Sequence, residues 1–181
     1  MFLFFDTFIK EKISLFENKW KDILTVEDFN ICDNIVNAFT IIQNNLSIGN
    51  NLTFIHGDIK SPNIFYDILN NYEPYFIDWQ HCGIGKGVQD LIFFIIESFD
   101  ISNLDLLYPL FKNYYYKKIK EYGILNYSFE EYETDIKDAI CYVPFFTSVW
   151  FSSIPEDELI DKNFVYFFTM KLFHLLKKID F

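Results

Sequence analysis

Polar residues that can carry out acid–base and metal chemistry are concentrated in one short stretch of the sequence, from His56 to Asn63. The stretch reads His-Gly-Asp-Ile-Lys-Ser-Pro-Asn, so four residues separate Asp58 from Asn63. A second carboxylate, Asp78, follows the apolar pair Phe76-Ile77. Two carboxylates and an amide oxygen suit a hard cation such as Mg2+, which also takes water and substrate phosphates as ligands. A carboxylate can also orient an acceptor hydroxyl and take its proton during phosphoryl transfer.

Short strands are expected to position these polar residues. Three apolar runs are predicted to be strands: Leu52–Ile55, Ile64–Asp67 and Tyr75–Ile77. The polar stretch between the first two is then a loop, and the Asn- and Pro-containing segment 70–74 is a turn that makes a hairpin of the last two. Because a hairpin returns the chain to its starting end, Asn63 and Asp78 are expected to lie together, with Asp58 on the loop that leads in.

The rest of the chain is predicted to be helical, because apolar residues recur at spacings of three and four before and after the hairpin region. Thr25 and Ser128 begin capping-box patterns, which mark helix starts. Pro109 is expected to interrupt one helix, and Pro144 to bend another. The glycine-rich segment 83–87 lacks the spacing of a phosphate-binding P-loop, so it is interpreted as a flexible segment before the next helix.

The expected fold is a helix-dominant α+β fold with a small β-hairpin at the candidate site. We predict one domain over residues 1–181. Leading helices occupy residues 1–51, the loop, hairpin and metal-binding segment occupies residues 52–87, and a helical subdomain occupies residues 88–181.

Composition excludes several classes of protein. The chain has 181 residues, of which 51% are hydrophobic and 21% aromatic, so intrinsic disorder is excluded. The net charge of −11, with no arginine, argues against nucleic-acid binding and would suit a cationic small molecule. Apolar runs fall short of the ~20 residues of a membrane span, so no membrane partner is expected. Three widely spaced cysteines favour reduced thiols in a cytoplasmic protein.

The candidate site resembles that of a known superfamily of small-molecule kinases. The residues that carry the resemblance are His56-Gly57-Asp58 with Asn63, Ile77-Asp78-Trp79-Gln80 and Gln89-Asp90-Leu91. This pattern resembles the aminoglycoside phosphotransferase and choline-kinase-like superfamily, which shares the protein-kinase fold. The resemblance is strong from about Leu52 to Ile96 and general elsewhere. Protein kinases have Arg at the position of Gly57, Asp-Phe-Gly at residues 78–80, and a later Ala-Pro-Glu that is missing here, so the small-molecule branch is favoured.

The resemblance implies roles in catalysis for Asp58 and Lys60 and in metal binding for Asn63 and Asp78. Asp58 would be the catalytic base, and Asn63 and Asp78 would be ligands of Mg2+, with ATP as the phosphoryl donor. Lys60 matches a lysine that protein kinases often carry two residues after the base, where it meets the transferring phosphate. That position varies in the small-molecule branch.

Two further matched residues are implied to support the site. His56 would brace the loop through hydrogen bonds, and Asp90 would accept hydrogen bonds from backbone amides of the loop. Asp58 and Asn63 taken alone could also be turn formers, because Asp and Asn favour such loops. Their joint spacing with His56 and Asp78 makes coincidence a poor explanation.

The chain resembles the C-terminal lobe of a kinase without its N-terminal lobe. The first glycine is Gly49, so no Gly-rich nucleotide loop precedes Asp58. We expect a fragment of a longer kinase or a chain that pairs with a separate N-terminal lobe. The acceptor is expected to be a small-molecule hydroxyl, such as that of a cationic amino alcohol. The alternatives are a catalytically impaired pseudo-enzyme with a binding role and, less favoured, a relative of the protein kinases.

Overall fold

The computed structural model describes residues 2–159 and 161–179. The chain forms two compact units: a terminal unit that comprises residues 1–45 and 137–181, and a central unit of residues 46–136. Helices make up most of the chain, and small antiparallel sheets complete an α+β fold, as predicted. Within the described ranges, no helix combines the length and apolarity needed to cross a bilayer.

The described elements follow one another in a simple order. They are α1 (Phe2–Trp20), α2 (Val26–Ser47), β1 (Leu52–Ile55), β2 (Ile64–Asp67), β3 (Glu73–Phe76), β4 (Gly83–Lys86), α3 (Val88–Ser98), α4 (Ile101–Glu121), α5 (Phe129–Cys141), α6 (Val143–Ser152) and α7 (Lys162–Leu176). Short 3-10 turns precede β2 and β4, at Ser61–Asn63 and Trp79–His81.

The terminal unit is built from aromatic packing between helices. α1 lies against α6, with the rings of Phe5 and Phe146 stacked at 4.0 Å between centroids. Phe16 and Trp20 are buried, and the indole Nε1 of Trp20 donates to Ser152 Oγ at 2.8 Å. The unit therefore buries large apolar side chains and satisfies the one polar atom that an indole carries.

The predicted capping box at Thr25 is confirmed. The Thr25 backbone N–H donates to Asp28 Oδ2 at 2.8 Å, and the Asp28 N–H donates to the Thr25 hydroxyl at 3.2 Å. Asp28 thus takes the position that Glu or Gln usually holds, and Lys177 lies 2.9 Å from its Oδ1. α2 therefore begins at the residue that the local pattern indicates.

Two antiparallel ribbons form the β structure of the central unit. β1 pairs with β4, with Leu52 opposite Lys86 and Ile55 opposite Gly83. β2 pairs with β3, with Ile64 opposite Phe76. The two ribbons place the ends of β1 and β3, and the start of β2, around the loop that carries the candidate residues.

The interpretation of residues 83–87 as a flexible segment is wrong, because Gly83–Lys86 forms β4. Close packing accounts for two of the three glycines, Gly85 and Gly87. A Cβ on Gly85 would lie 2.4 Å from Gln89 Nε2, and a Cβ on Gly87 would lie 2.2 Å from the Tyr115 hydroxyl oxygen. These glycines therefore let neighbouring side chains approach the backbone closely.

Prolines mark element boundaries differently from the sequence prediction. The single bent helix expected around Pro144 is two helices, since α5 ends at Cys141 and α6 begins at Val143. Pro144 lies in the first turn of α6, where its missing N–H breaks no helical hydrogen bond. Pro109 does not interrupt its helix, because α4 continues through it. Pro74 lies in β3 and not in the turn.

Candidate active site

The loop between β1 and β2 brings Asp58, Lys60 and Asn63 into direct contact. Lys60 Nζ lies 2.8 Å from Asp58 Oδ2. The side-chain Nδ2 of Asn63 donates to the carbonyl oxygen of Asp58 at 2.9 Å and to its Oδ2 at 3.3 Å. The 3-10 turn at Ser61–Asn63 brings Asn63 back towards Asp58, because the Asn63 N–H donates to the Lys60 carbonyl oxygen at 2.8 Å. The carboxylate of Asp58 therefore faces an ammonium and an amide donor.

The β2–β3 hairpin attaches the segment of Asp78 to this loop. The Ile77 N–H donates to the Asn63 carbonyl at 3.0 Å, one residue beyond the last ladder pair. Asp78 follows with a φ of 64°, a left-handed conformation that Asp tolerates better than most residues with a Cβ. Its side chain is exposed, and among the described residues no hydrogen bond or ion pair reaches its carboxylate. Asp78 is thus available to a ligand.

The buried ring of His56 joins the loop to the hairpin. Its Nε2 donates to the Ile77 carbonyl at 2.9 Å, which assigns the ring proton to Nε2. The remaining nitrogen, Nδ1, accepts from the Asp58 N–H at 3.3 Å. The Trp79 ring packs on the imidazole at 4.5 Å between centroids. His56 therefore makes the hydrogen bonds that a bracing role requires.

Asp90, in the first turn of α3, holds the beginning of the loop. Its Oδ2 accepts from the His56 N–H at 2.7 Å and its Oδ1 from the Gly57 N–H at 2.8 Å. Burial raises the pKa of Asp90 above the usual carboxyl value, although the two amide hydrogen bonds act in the opposite direction. Both carboxylate oxygens are used, which fixes two consecutive peptide groups ahead of Asp58.

Gly57 lets the loop cross close to the 3-10 turn at Trp79–His81. Its φ is +81°, in the left-handed region that favours glycine. A Cβ at this position would lie 2.3 Å from the carbonyl oxygen of His81. Both the backbone conformation and the available space therefore require glycine here.

Gly57→Ala is expected to lower the free energy of unfolding by about 1–3 kcal/mol, because it combines an unfavourable φ with a backbone clash. Urea denaturation of the wild type and the variant measures the loss. Gly49→Ala is the matched control, since Gly49 also has a positive φ, +100°, but a Cβ added there would meet nothing within 4 Å. Equal losses for the two variants would contradict the close contact with His81.

One further set of contacts at the loop was not anticipated from the sequence. The Ser61 N–H donates to Glu97 Oε2 at 3.3 Å and to Ser98 Oγ at 3.2 Å, both in the last turn of α3. Glu97 lies seven residues after Asp90, a spacing that puts both carboxylates on one helix face. That spacing was the only signal available, and it does not specify what a carboxylate contacts.

Asn63 and Asp78 each carry a side-chain oxygen of the type that a hard divalent cation prefers, and among the described residues no side-chain contact joins the two. The Nδ2 of Asn63 is used by Asp58, which leaves its Oδ1 for a ligand, and the Asp78 carboxylate is exposed. Mg2+ is usually bound by one or two carboxylates together with phosphate oxygens and water. In the part of the chain that the structure describes, no cluster of three or more His, Cys, Asp or Glu side chains suited to a metal occurs.

Comparison with known families assigns the chain to the kinase-like class of proteins. The model of the ecdysteroid kinase-like family matches residues 2–127. The chain belongs to this family, which is related to the choline-kinase and aminoglycoside phosphotransferase superfamily. No curated protein and no solved structure matches the chain. The kinase-like prediction is thus confirmed for the class, whereas its aminoglycoside-specific part stays a prediction.

Proposed function

We propose that the chain is the catalytic part of a phosphotransferase that moves the γ-phosphoryl group of ATP, with Mg2+, to a hydroxyl of a small molecule. The observation that carries the proposal is the contact of Asp58 with Asn63, next to the hairpin end from which Asp78 emerges. The kinase-like family match supports the same chemistry.

Asp58 acts as the general base in this proposal. Its carboxylate takes the proton of the acceptor hydroxyl as that oxygen forms a bond to the γ-phosphorus, and the bond to the bridging oxygen of ADP breaks. Lys60, ion-paired with Asp58, supplies a positive charge for the transferring phosphoryl oxygens. Asn63 and Asp78 would hold Mg2+, which when bound neutralises charge on the phosphates. The loop contacts of His56 and Asp90 keep the base in place.

Two features of the chain indicate which classes of acceptor molecule to test. The family's description names ecdysteroid, so a steroid alcohol is the first acceptor class to test. The net charge of −11 favours a cationic amino alcohol instead, because a negative field attracts cations. Both classes offer the hydroxyl that the proposed reaction needs, and a panel containing both decides between them.

A separate or preceding lobe is proposed to cover the nucleotide. The hairpin β2–β3 exposes aromatic residues on both faces, including Phe65, Tyr66 and Tyr75. An isolated two-stranded hairpin has little stability in water unless another element packs on it. A partner lobe on this surface would supply that packing together with contacts to ATP.

Metal binding and phosphoryl transfer test the proposal together. Asp78→Asn is expected to raise the Kd for Mn2+, used as a paramagnetic probe for Mg2+, by about tenfold or more, because a ligand charge is lost. Electron paramagnetic resonance measures free Mn2+ in solutions of the 181-residue chain. Transfer from radiolabelled ATP to the acceptor panel is measured in that chain and in the longest natural protein that contains it.

Glu73→Gln is the matched control, since Glu73 is a carboxylate on the same hairpin but at its turn end. An equal loss of Mn2+ affinity in both variants would indicate binding through general charge and would contradict the assigned site. Mn2+ binding without transfer in either protein form would favour the pseudo-enzyme alternative. Robust phosphorylation of a Ser/Thr peptide library would favour a protein-kinase relative.

A further inference from the structure

Helix α3 contacts the catalytic loop at two places, one at each end of the helix. Asp90 in the first turn accepts from the amides of His56 and Gly57. Glu97 and Ser98 in the last turn accept from the amide of Ser61. Seven residues of α-helix rise by about 10 Å, so the two contacts lie well apart along one rigid element.

The three residues between these contacts include two of the groups proposed for catalysis. Asp58 and Lys60 lie after the Asp90 contacts and before Ser61. Both ends of this short segment are therefore attached to the same helix. Such a double attachment limits how far the backbone that carries Asp58 and Lys60 can move.

The Ser61 amide is also the start of the turn that presents Asn63. Residues 61–63 form the 3-10 turn, and its N-cap residue, Lys60, cannot cap it because an ammonium group only donates hydrogen bonds. The first N–H groups of a helical turn lack partners within the turn, so an acceptor from elsewhere is needed to satisfy them. Glu97 Oε2 and Ser98 Oγ supply it, and the Ser98 hydroxyl donates in turn to Glu97 Oε2 at 3.3 Å.

We propose that Glu97, together with Ser98, is a positioning residue for phosphoryl transfer that sets the exit of the catalytic loop, as Asp90 sets its entrance. The inference rests on the function proposed above, because positioning matters only if Asp58 and Asn63 act on a substrate. Glu97 touches neither substrate nor metal in this assignment. It acts through the Ser61 amide on the direction of Lys60 and Asn63.

Removal of both acceptors in Glu97→Ala/Ser98→Ala is expected to lower kcat by about tenfold to a hundredfold with little change in KM for the acceptor, since small displacements of catalytic groups have effects of this size. Glu97→Gln keeps an acceptor oxygen and is expected to retain most of the activity. Glu11→Ala, at an exposed position on α1, is the control for loss of a surface carboxylate.

Amide hydrogen exchange provides a readout that does not depend on activity. In the full chain, nuclear magnetic resonance is expected to show faster exchange at Ser61 in the double alanine variant than in wild type, Glu97→Gln and Glu11→Ala. An unchanged Ser61 exchange rate would overturn the assignment, as would a kcat equal to that of wild type. Inactivity of the wild type in every form would overturn the proposed function instead, and the Ser61 exchange rate would then decide whether α3 anchors the loop.

Discussion

Asp58→Asn is expected to lower kcat for phosphoryl transfer by about 10²–10⁴-fold, the range that a positioned general base contributes. A carboxamide has the shape of the carboxylate but cannot take the acceptor proton. The new side chain would keep an oxygen that can accept from Lys60 Nζ and from Asn63 Nδ2, which both contact Oδ2 in the wild type. The free energy of unfolding is therefore expected to change by less than about 1 kcal/mol.

Steady-state transfer assays and urea denaturation of the same preparations separate these two effects. Asp33→Asn, an exposed carboxylate on α2, controls for the loss of one negative charge. A fall in kcat with unchanged Mn2+ affinity would assign Asp58 to proton transfer and not to the metal. Full activity of Asp58→Asn would refute the assigned base, and a large loss of stability would show that its effect on activity is structural.

The loop and hairpin could be predicted because their signals are local. The four residues between Asp58 and Asn63 leave room for the 3-10 turn at Ser61–Asn63, and the β2–β3 hairpin brings Ile77 back to Asn63. The turn and the hairpin are both formed by residues close in sequence, whose conformational preferences determine the local structure. The same holds for the Thr25 capping box, in which both partners lie within one turn.

Contacts between residues far apart in the sequence could not be predicted from such signals. Ser61 and Glu97 are 36 residues apart, and the seven-residue spacing from Asp90 does not show that Glu97 contacts the loop. Gly85 and Gly87 gave the wrong prediction for a related reason. Glycine promotes flexibility and permits close packing alike, and only the positions of Gln89 and Tyr115 decide between the two.

A buried ion pair in the central unit is another contact between residues that lie far apart in the sequence. Lys86, at the end of β4, lies 3.1 Å from Asp135 Oδ2 in α5, and both side chains are 10% exposed. The Tyr127 hydroxyl donates to the same carboxylate. Burial and the nearby Asp135 carboxylate raise the pKa of Tyr127 well above its ordinary value, so the phenol remains a donor at neutral pH. Lys86 Nζ also lies 5.8 Å from the Tyr127 ring centroid.

Removal of either charge is expected to lower the free energy of unfolding by about 3–5 kcal/mol, because the remaining charge stays buried without its partner. Lys86→Met leaves the Asp135 carboxylate, and Asp135→Asn leaves the Lys86 ammonium. Urea denaturation followed by circular dichroism measures both losses. Glu121→Gln, in an exposed pair with Lys118, is the control and is expected to show little change.

The double variant Lys86→Met/Asp135→Asn distinguishes the cost of an unpaired charge from the loss of packing. It removes both charges, and the carboxamide introduced in α5 keeps an oxygen that can accept from the Tyr127 hydroxyl. We expect it to be at least about 2 kcal/mol more stable than the sum of the two single losses implies, because no charge is left buried alone. Additive losses would mean that the two residues stabilise the central unit independently, through packing around β4 and α5, and that their ion pair contributes little.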